Sequence, residues 1–404
     1  MSNIKQKTPG LITLFRFAIL FNILWGAHAW FTWTIDNSRI SQYITYAIIA
    51  YIAYKYKQKE RIRIKTTPSL ILAITTYTLG TLFYNSFRIL SLINIALVLY
   101  PVCVLIYDSK NIEEHLKFIA KAIAIILIPG IILNFLDLPG IPLHNKSEEN
   151  TIFFNQIFNI KAIGWTGESE GRFQSIFLEP GYMSTLLSFM LYAVKYNFKK
   201  WENLVMLTAI IIGYSLAGYV TTFVGYTIYL VTQRQNIKNV VIFSAIIAVT
   251  YYISINYNGG KNIVNEKIVT RLEFDKEKGI VGNNRTGTGT EFYYNQAIEN
   301  GDIWLGLGTD RVYKINGGSS NAADYDQNIR GAGYKVYFVS FGIVSAILFL
   351  LFYYYLSKEI NKRHRFSNFG FIFLIIITFI QAAYPFSTSW IYPFILGISN
   401  KKEQ

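Results

Sequence analysis

Apolar runs close to twenty residues long recur along the whole chain, and they leave it few choices of fold. Leu14–Phe31 and Gly342–Leu356 are two of them. Such a run matches the hydrocarbon thickness of a bilayer, and one soluble core could not bury so many. The composition agrees: 52% of residues are hydrophobic and only 15% are charged, against about 25% in an ordinary soluble domain. The expected fold is an all-α polytopic membrane protein. Spans are expected near 11–31, 40–56, 68–84, 88–107, 119–136, 176–194, 202–216, 217–232, 239–256, 333–356, 367–384 and 386–398. That makes about twelve, or eleven if the last is only a half-span. The stretch after Lys5 and Lys7 has the outline of a signal peptide, but Arg16 interrupts its apolar centre, so it reads as an uncleaved first span.

The formal charge of +14 does not call for nucleic acid, because the basic residues cluster between apolar runs. Lys55, Lys57, Lys59, Arg61, Arg63 and Lys65 crowd one short loop. Lys195, Lys199 and Lys200 mark a second, and Lys358, Lys362, Arg363 and Arg365 a third. The positive-inside rule then puts the N-terminus in the cytoplasm and both long polar stretches outside. The chain divides into 1–136 (helices one to five), 137–175 (first large outer loop) and 176–256 (helices six to nine). After these come 257–332 (second large outer loop) and 333–404 (C-terminal spans and cytoplasmic tail). Residues 202–232 are too few for two full spans. The basic flanks at both ends require a return to the same side, so a short helical hairpin turning near 214–219 is expected. Non-helical backbone at membrane depth survives only where protein or a wet cavity surrounds it.

Chemistry-bearing residues lie mostly in the two outer stretches. Arg172 and Glu179 would share a face if 172–179 were helical, and Tyr182 would join them. Pro180 suits a first helical turn. A carboxylate at a membrane edge has either a partner or a task. The second loop carries Arg271, Arg285, Arg311 and Arg330 against ten carboxylates, and guanidinium groups grip phosphate oxygens bidentately. Gly282–Gly289 is Gly-rich, yet it lacks a P-loop ending and a convincing following helix, so it reads as a flexible loop. Leu305–Asp310 reads as a turn. Asp324-Tyr325-Asp326 has metal-pair spacing, but no metal is assigned to it. The lone cysteine, Cys103, lies inside an apolar run, which excludes an internal disulfide. The four histidines are scattered, with His115 and His364 in cytoplasmic loops, His28 in a span and His144 in an outer loop, so no zinc cluster is expected.

Arg172 followed by Phe173, Phe177 and Glu179-Pro180-Gly181-Tyr182, at the start of a span behind a sizeable outer loop, resembles the bacterial O-antigen and capsule polymerases of the Wzy type. So do the Ser215–Gly218 turn, the late Gly306-x-Gly308, and the span opening Tyr334-Lys335-Val336-Tyr337-Phe338 that runs into Phe341-Gly342. The likeness covers about 170–345. It implies a fold like the membrane-embedded class C glycosyltransferases, sited in the bacterial cytoplasmic (inner) membrane with the active site facing outward. It implies transfer of a growing glycan from undecaprenyl pyrophosphate onto the terminal sugar of a new lipid-linked repeat unit. Membrane lipid and a chain-length regulator are the implied partners, with no cofactor and no nucleic acid.

Family members use arginines in both outer loops, some in an Arg-x10-Gly pattern, which Arg271 and Gly282 match and Arg172 does not. The resemblance thus implies Arg172, Glu179, Arg271 and Arg285 as catalytic residues, with Glu179 as a base. It implies Tyr182, Arg311, Arg330, Tyr334 and Lys335 as substrate contacts. Arg311 and Arg330 serve as the internal comparison, at least one being expected in a structural ion pair. Three other classes share some features. An O-antigen ligase would carry a His in 257–332, a flippase would show internal repeats, and a membrane O-acetyltransferase would need a catalytic His near an early span, where only His28 could serve.

Overall fold

The computed structural model describes residues 9–36, 38–84, 89–136, 140–148, 151–164, 172–232, 238–262, 264–269, 274–275, 279–280, 288–315, 329, 333–360, 365–381 and 387–399. Helices dominate. In order they are α1 (Pro9–Gly26), α2 (Trp33–Asp36), α3 (Arg39–Glu60), α4 (Pro68–Tyr84), α5 (Ile89–Tyr107) and α6 (Ile112–Leu136). Then follow α7 (Pro180–Ala193), α8 (Trp201–Ile212), α9 (Leu216–Thr232), α10 (Lys238–Asn256), α11 (Thr288–Glu299), α12 (Thr309–Ile315), α13 (Tyr334–Ile360), α14 (Arg365–Gln381) and α15 (Thr388–Ser399). Among the described residues, α6 and α13 are long and apolar enough to cross a membrane, while α8, α9, α15 and others are apolar but shorter.

The 12 residues of α8 and of α15 rise only about 18 Å. α8 and α9 break at 213–215, overlapping only the start of the expected turn at 214–219, since α9 already begins at Leu216. α15 is packed into the interior, with Ile391, Tyr392, Phe394, Ile395 and Leu396 all buried.

Long-range polar contacts fix which helix ends meet. At one end, the Asp108 carboxylate accepts from the Tyr56 hydroxyl at 2.5 Å, from His115 Nε2 at 2.8 Å and from Asn111 at 3.0 Å. Arg16 donates to His115 Nδ1 at 3.1 Å and to Glu114 at 2.6 Å. Glu359, near the end of α13, accepts from Thr67, Ser69 and Tyr107 at the same end. The basic loop 55–65 therefore sits beside the starts of α4 and α6 and the finish of α13.

At the opposite end, the first turn of α15 clasps the last turn of α1. Thr388 donates to the Asn22 carbonyl at 2.5 Å, and Ser387 and Ser389 donate to the Gly26 carbonyl at 2.5 and 3.1 Å. Each such bond contributes about 1 kcal/mol net, and together they impose antiparallel neighbours on elements far apart in sequence.

Buried charge explains why Arg16 is tolerated in an apolar helix. Its guanidinium side is engaged by His115 and Glu114. Burial alone would raise the Asp108 carboxyl, but hydrogen bonds from His115, Tyr56 and Asn111 hold it below the usual carboxylate range. Since His115 Nδ1 accepts from Arg16, its Nε2 carries the proton given to Asp108.

Apolar side chains also line outward faces. Ile40, Ile44, Ile48 and Tyr51 form an exposed stripe on α3, and Ile125, Ile128, Ile132 and Phe135 form one on α6. Spacings of three and four residues put each set on one helix face. Water-exposed faces of this kind are unusual.

The stretch between α6 and α7 holds a feature absent from the helical reading. Strands β1 (Ile141–Glu148), β2 (Thr151–Asn155) and β3 (Ile160–Gly164) form an antiparallel sheet, with Phe153 opposite Ala162. A minimal pair, β4 (Phe274–Asp275) and β5 (Gly279–Ile280), lies in the second loop.

Candidate functional site

The first group of candidate residues is organised by an extended segment, not by the helix that a shared face of Arg172 and Glu179 would need. Residues 172–179 are non-helical, and α7 starts only at Pro180. The segment is held on three sides by backbone bonds. Phe173 N donates to the Ile212 carbonyl at 3.3 Å, at the turn between α8 and α9. The Ser175 carbonyl accepts from Ile160 N of β3 at 2.7 Å. Beyond it, the Ile176 carbonyl accepts from Trp30 N at 2.9 Å and Leu178 N donates to the His28 carbonyl at 3.1 Å, bridging Ala29 and Phe177. The end of α1, the β1–β3 sheet, the α8–α9 turn and the start of α7 thus converge on one eight-residue strap.

Arg172 is half-buried at one end of the strap, where its charge acts on Tyr219 in the first turn of α9. Glu179 is at the other end, as the extended residue before α7, with its side chain exposed and not capping the helix. That exposure withholds the burial that a base role for Glu179 would draw on. Tyr182, in the first turn of α7, packs with Trp33, Phe153, Ile160 and Leu178. Its ring stands 4.8 Å from that of His28. The start of α7 also presents backbone N–H groups and the positive end of a helix dipole, a setting that favours anions.

The second group sits where the stretch between α10 and α13 docks on α13. This helix breaks at Gly342, which has φ 79° and ψ 164°, a conformation open to glycine alone. The break turns the Val339 and Ser340 carbonyls to the loop, where Leu307 N and Gly308 N donate to them at 2.7 and 2.9 Å. The approach is close. A Cβ on Gly306 would lie 2.5 Å from Gly342 N. Two features noted separately in sequence, the Gly306-x-Gly308 stretch and Phe341-Gly342, are therefore the two halves of one contact. Leu305–Asp310 is not a simple turn, since α12 starts at Thr309. The Gly-rich stretch before it is also followed by a helix, α11, contrary to the reading from sequence.

Lys335 is drawn into a clasp between α11 and α13, with Nζ 2.6 and 2.7 Å from the Glu291 oxygens and 5.4 Å from the Tyr294 ring centre. Tyr334 packs edge-on against Tyr294 at 6.3 Å. Burial raises the Tyr294 hydroxyl, with Tyr334 adding to the effect and Lys335 opposing it. Arg311 is exposed on α12. Arg271, Arg285, Arg330 and the pair Asp324 and Asp326 lie outside the described residues. Among the described residues, no group of three His, Cys, Asp or Glu side chains is placed to hold a metal ion. No protein-family model, curated protein or solved structure matches the chain.

Sequence reasoning placed His28 inside a span. It instead follows the end of α1, in left-handed backbone at φ 55°. The signal available in sequence was Gly26 in front of it, a common residue where helices stop.

Proposed function

We propose that the protein is a multi-pass enzyme of the bacterial cytoplasmic membrane that polymerises lipid-linked oligosaccharide repeat units on the outer face. The observation that carries this reading is the strap from Arg172 to Glu179, pinned beside the α8–α9 turn at the end opposite the basic loops. Exposed apolar stripes on α3 and α6 support a lipid-facing belt, which would make up the remaining spans of an eleven- or twelve-pass chain.

In the proposed reaction, a hydroxyl of the acceptor unit's terminal sugar attacks the anomeric carbon of the donor glycan. The bond from that carbon to the pyrophosphate oxygen breaks, and its electron pair leaves with undecaprenyl pyrophosphate. The hydroxyl proton passes to a base. Negative charge grows on the pyrophosphate, and fixed cations in a partly dehydrated site stabilise it without reorganising. Arg172 is the cation proposed for this from the first loop, with Arg271 and Arg285 from the second. Glu179, Tyr182, Arg311, Arg330, Tyr334 and Lys335 are proposed along the path of the sugars, Lys335 acting through its clasp with Glu291.

One observation favours a second reading. His28 beside the strap is the early histidine that a membrane O-acetyltransferase would need. Deleting the gene separates the two. Loss of the polymer ladder with a single repeat unit retained supports polymerisation. A full ladder with less acetyl supports the alternative, and loss of every repeat unit from the final acceptor points to ligation or flipping.

A further inference from the structure

We propose that His28 is the group that takes the proton from the acceptor hydroxyl, with Glu179 and Tyr182 positioning the sugar beside it. The inference rests on the polymerase reading and adds the member that reading lacks. Three observations on the structure point to it. First, His28 has left-handed backbone at φ 55°, a conformation that side chains rarely adopt without support. The surroundings over-determine it: its carbonyl accepts from Leu178 N at 3.1 Å and from Trp33 Nε1 at 3.0 Å, and its own N–H donates to the Trp25 carbonyl at 2.9 Å. Second, the bond from Leu178 N ties its backbone to the residue just before Glu179, so the two residues belong to one end of the strap. Third, the half-buried ring lies against Tyr182, with its Nδ1 enclosed, which fixes its orientation.

The chemistry favours imidazole over the carboxylate. A base for a sugar hydroxyl works best when its own pKa is near the working pH, and histidine is the side chain that meets this without special burial. Glu179 is exposed. Among the described side chains on the segments packed against His28, the titratable or charged groups are Tyr182 on α7 and Glu179 and Arg172 on the strap. Glycosyl transfer leaves the proton on imidazole and the negative charge on pyrophosphate. Release of undecaprenyl pyrophosphate and loss of the proton to water return the site to its starting state.

The test uses purified full-length protein in lipid nanodiscs with an undecaprenyl-pyrophosphate-linked repeat unit as the only substrate. His28→Asn is the variant, because asparagine tolerates left-handed backbone. The expected result is a kcat lower by about 100-fold or more with little change in KM. The acid limb of the wild-type kcat/KM profile should vanish in the variant. An acid limb that persists in His28→Asn overturns the proposal, whatever the rate. So does a wild-type profile flat across neutral pH, which needs no variant to be read. Failure of the wild-type protein to elongate the substrate at all is a different outcome, and it removes the polymerase reading itself.

Discussion

Gly342→Ala tests how the loop at 304–308 is held against α13. Alanine at φ 79° and ψ 164° costs about 1–3 kcal/mol in backbone strain. Its Cβ would also press on the Trp304 carbonyl and lie 2.5 Å from the Leu305 carbonyl carbon and 2.7 Å from Gly306 N. All three are backbone atoms that no rotamer change can move. Relief requires the loop to part from α13, which gives up the Leu307–Val339 and Ser340–Gly308 bonds at about 1 kcal/mol each. Those bonds hold the loop in place, so it is the strain, about 1–3 kcal/mol before the clash is added, that shifts the docking equilibrium, by at least roughly 5- to 150-fold. Hydrogen–deuterium exchange in nanodiscs reads this directly at the Leu307 and Gly308 amides, which should lose protection by about one to two orders of magnitude. Gly308→Ala is the comparison. It also has positive φ, at 77°, but its Cβ meets nothing within 4 Å, so its cost should be only about 1–2 kcal/mol. Unchanged protection in Gly342→Ala would refute the docking argument.

The remaining predictions concern charge and topology. Arg172→Ala, Arg271→Ala and Arg285→Ala should each cost about 2–4 kcal/mol in the transition state, or one to three orders of magnitude in rate, with Lys rescuing in part. Arg311→Ala, outside the proposed pyrophosphate contacts and exposed, should cost less than any of these three, and near-normal polymer length per unit protein in all of the first three removes the arginine mechanism. A periplasm-dependent reporter fused near Asn300 should be active, whereas a cytoplasmic signal reverses the assigned orientation. Asp108→Ala should destabilise the fold by about 3–5 kcal/mol, because it strands buried His115 and Tyr56, and a melting point within error of wild type would sink that view. The Asp108 carboxyl is held below its usual range, so its contribution is present above about pH 4 and is lost as pH falls through the lower native value. Acid should therefore lower the wild-type melting point through a step that Asp108→Asn lacks.

What could be read from sequence was local. Apolar runs marked the helices, and the basic flanks of 202–232 pointed to a break that falls at 213–215. Pairing across the chain could not be read. Arg16 was seen to be out of place in an apolar helix, but its partners Glu114 and His115 come from α6. The break in α13 was hidden because the apolar pattern runs straight through Gly342, and only the docked loop gives the bend a cause. The strap was misjudged for the opposite reason. Helical spacing of Arg172, Glu179 and Tyr182 was available, yet the backbone of 173–178 finds its hydrogen bonds across to Trp30, His28 and Ile160, and that tertiary pairing overrides local periodicity. Arg271, Arg285 and Arg330 rest on the sequence alone.

The central claim is best tested by giving purified protein, in liposomes, a single defined undecaprenyl-pyrophosphate-linked repeat unit and following both glycan and carrier. Polymerisation predicts a ladder of lipid-linked chains, with one undecaprenyl pyrophosphate released for each linkage formed. Repeat units that remain single, or that cross the bilayer or move to another acceptor without growing, would contradict it.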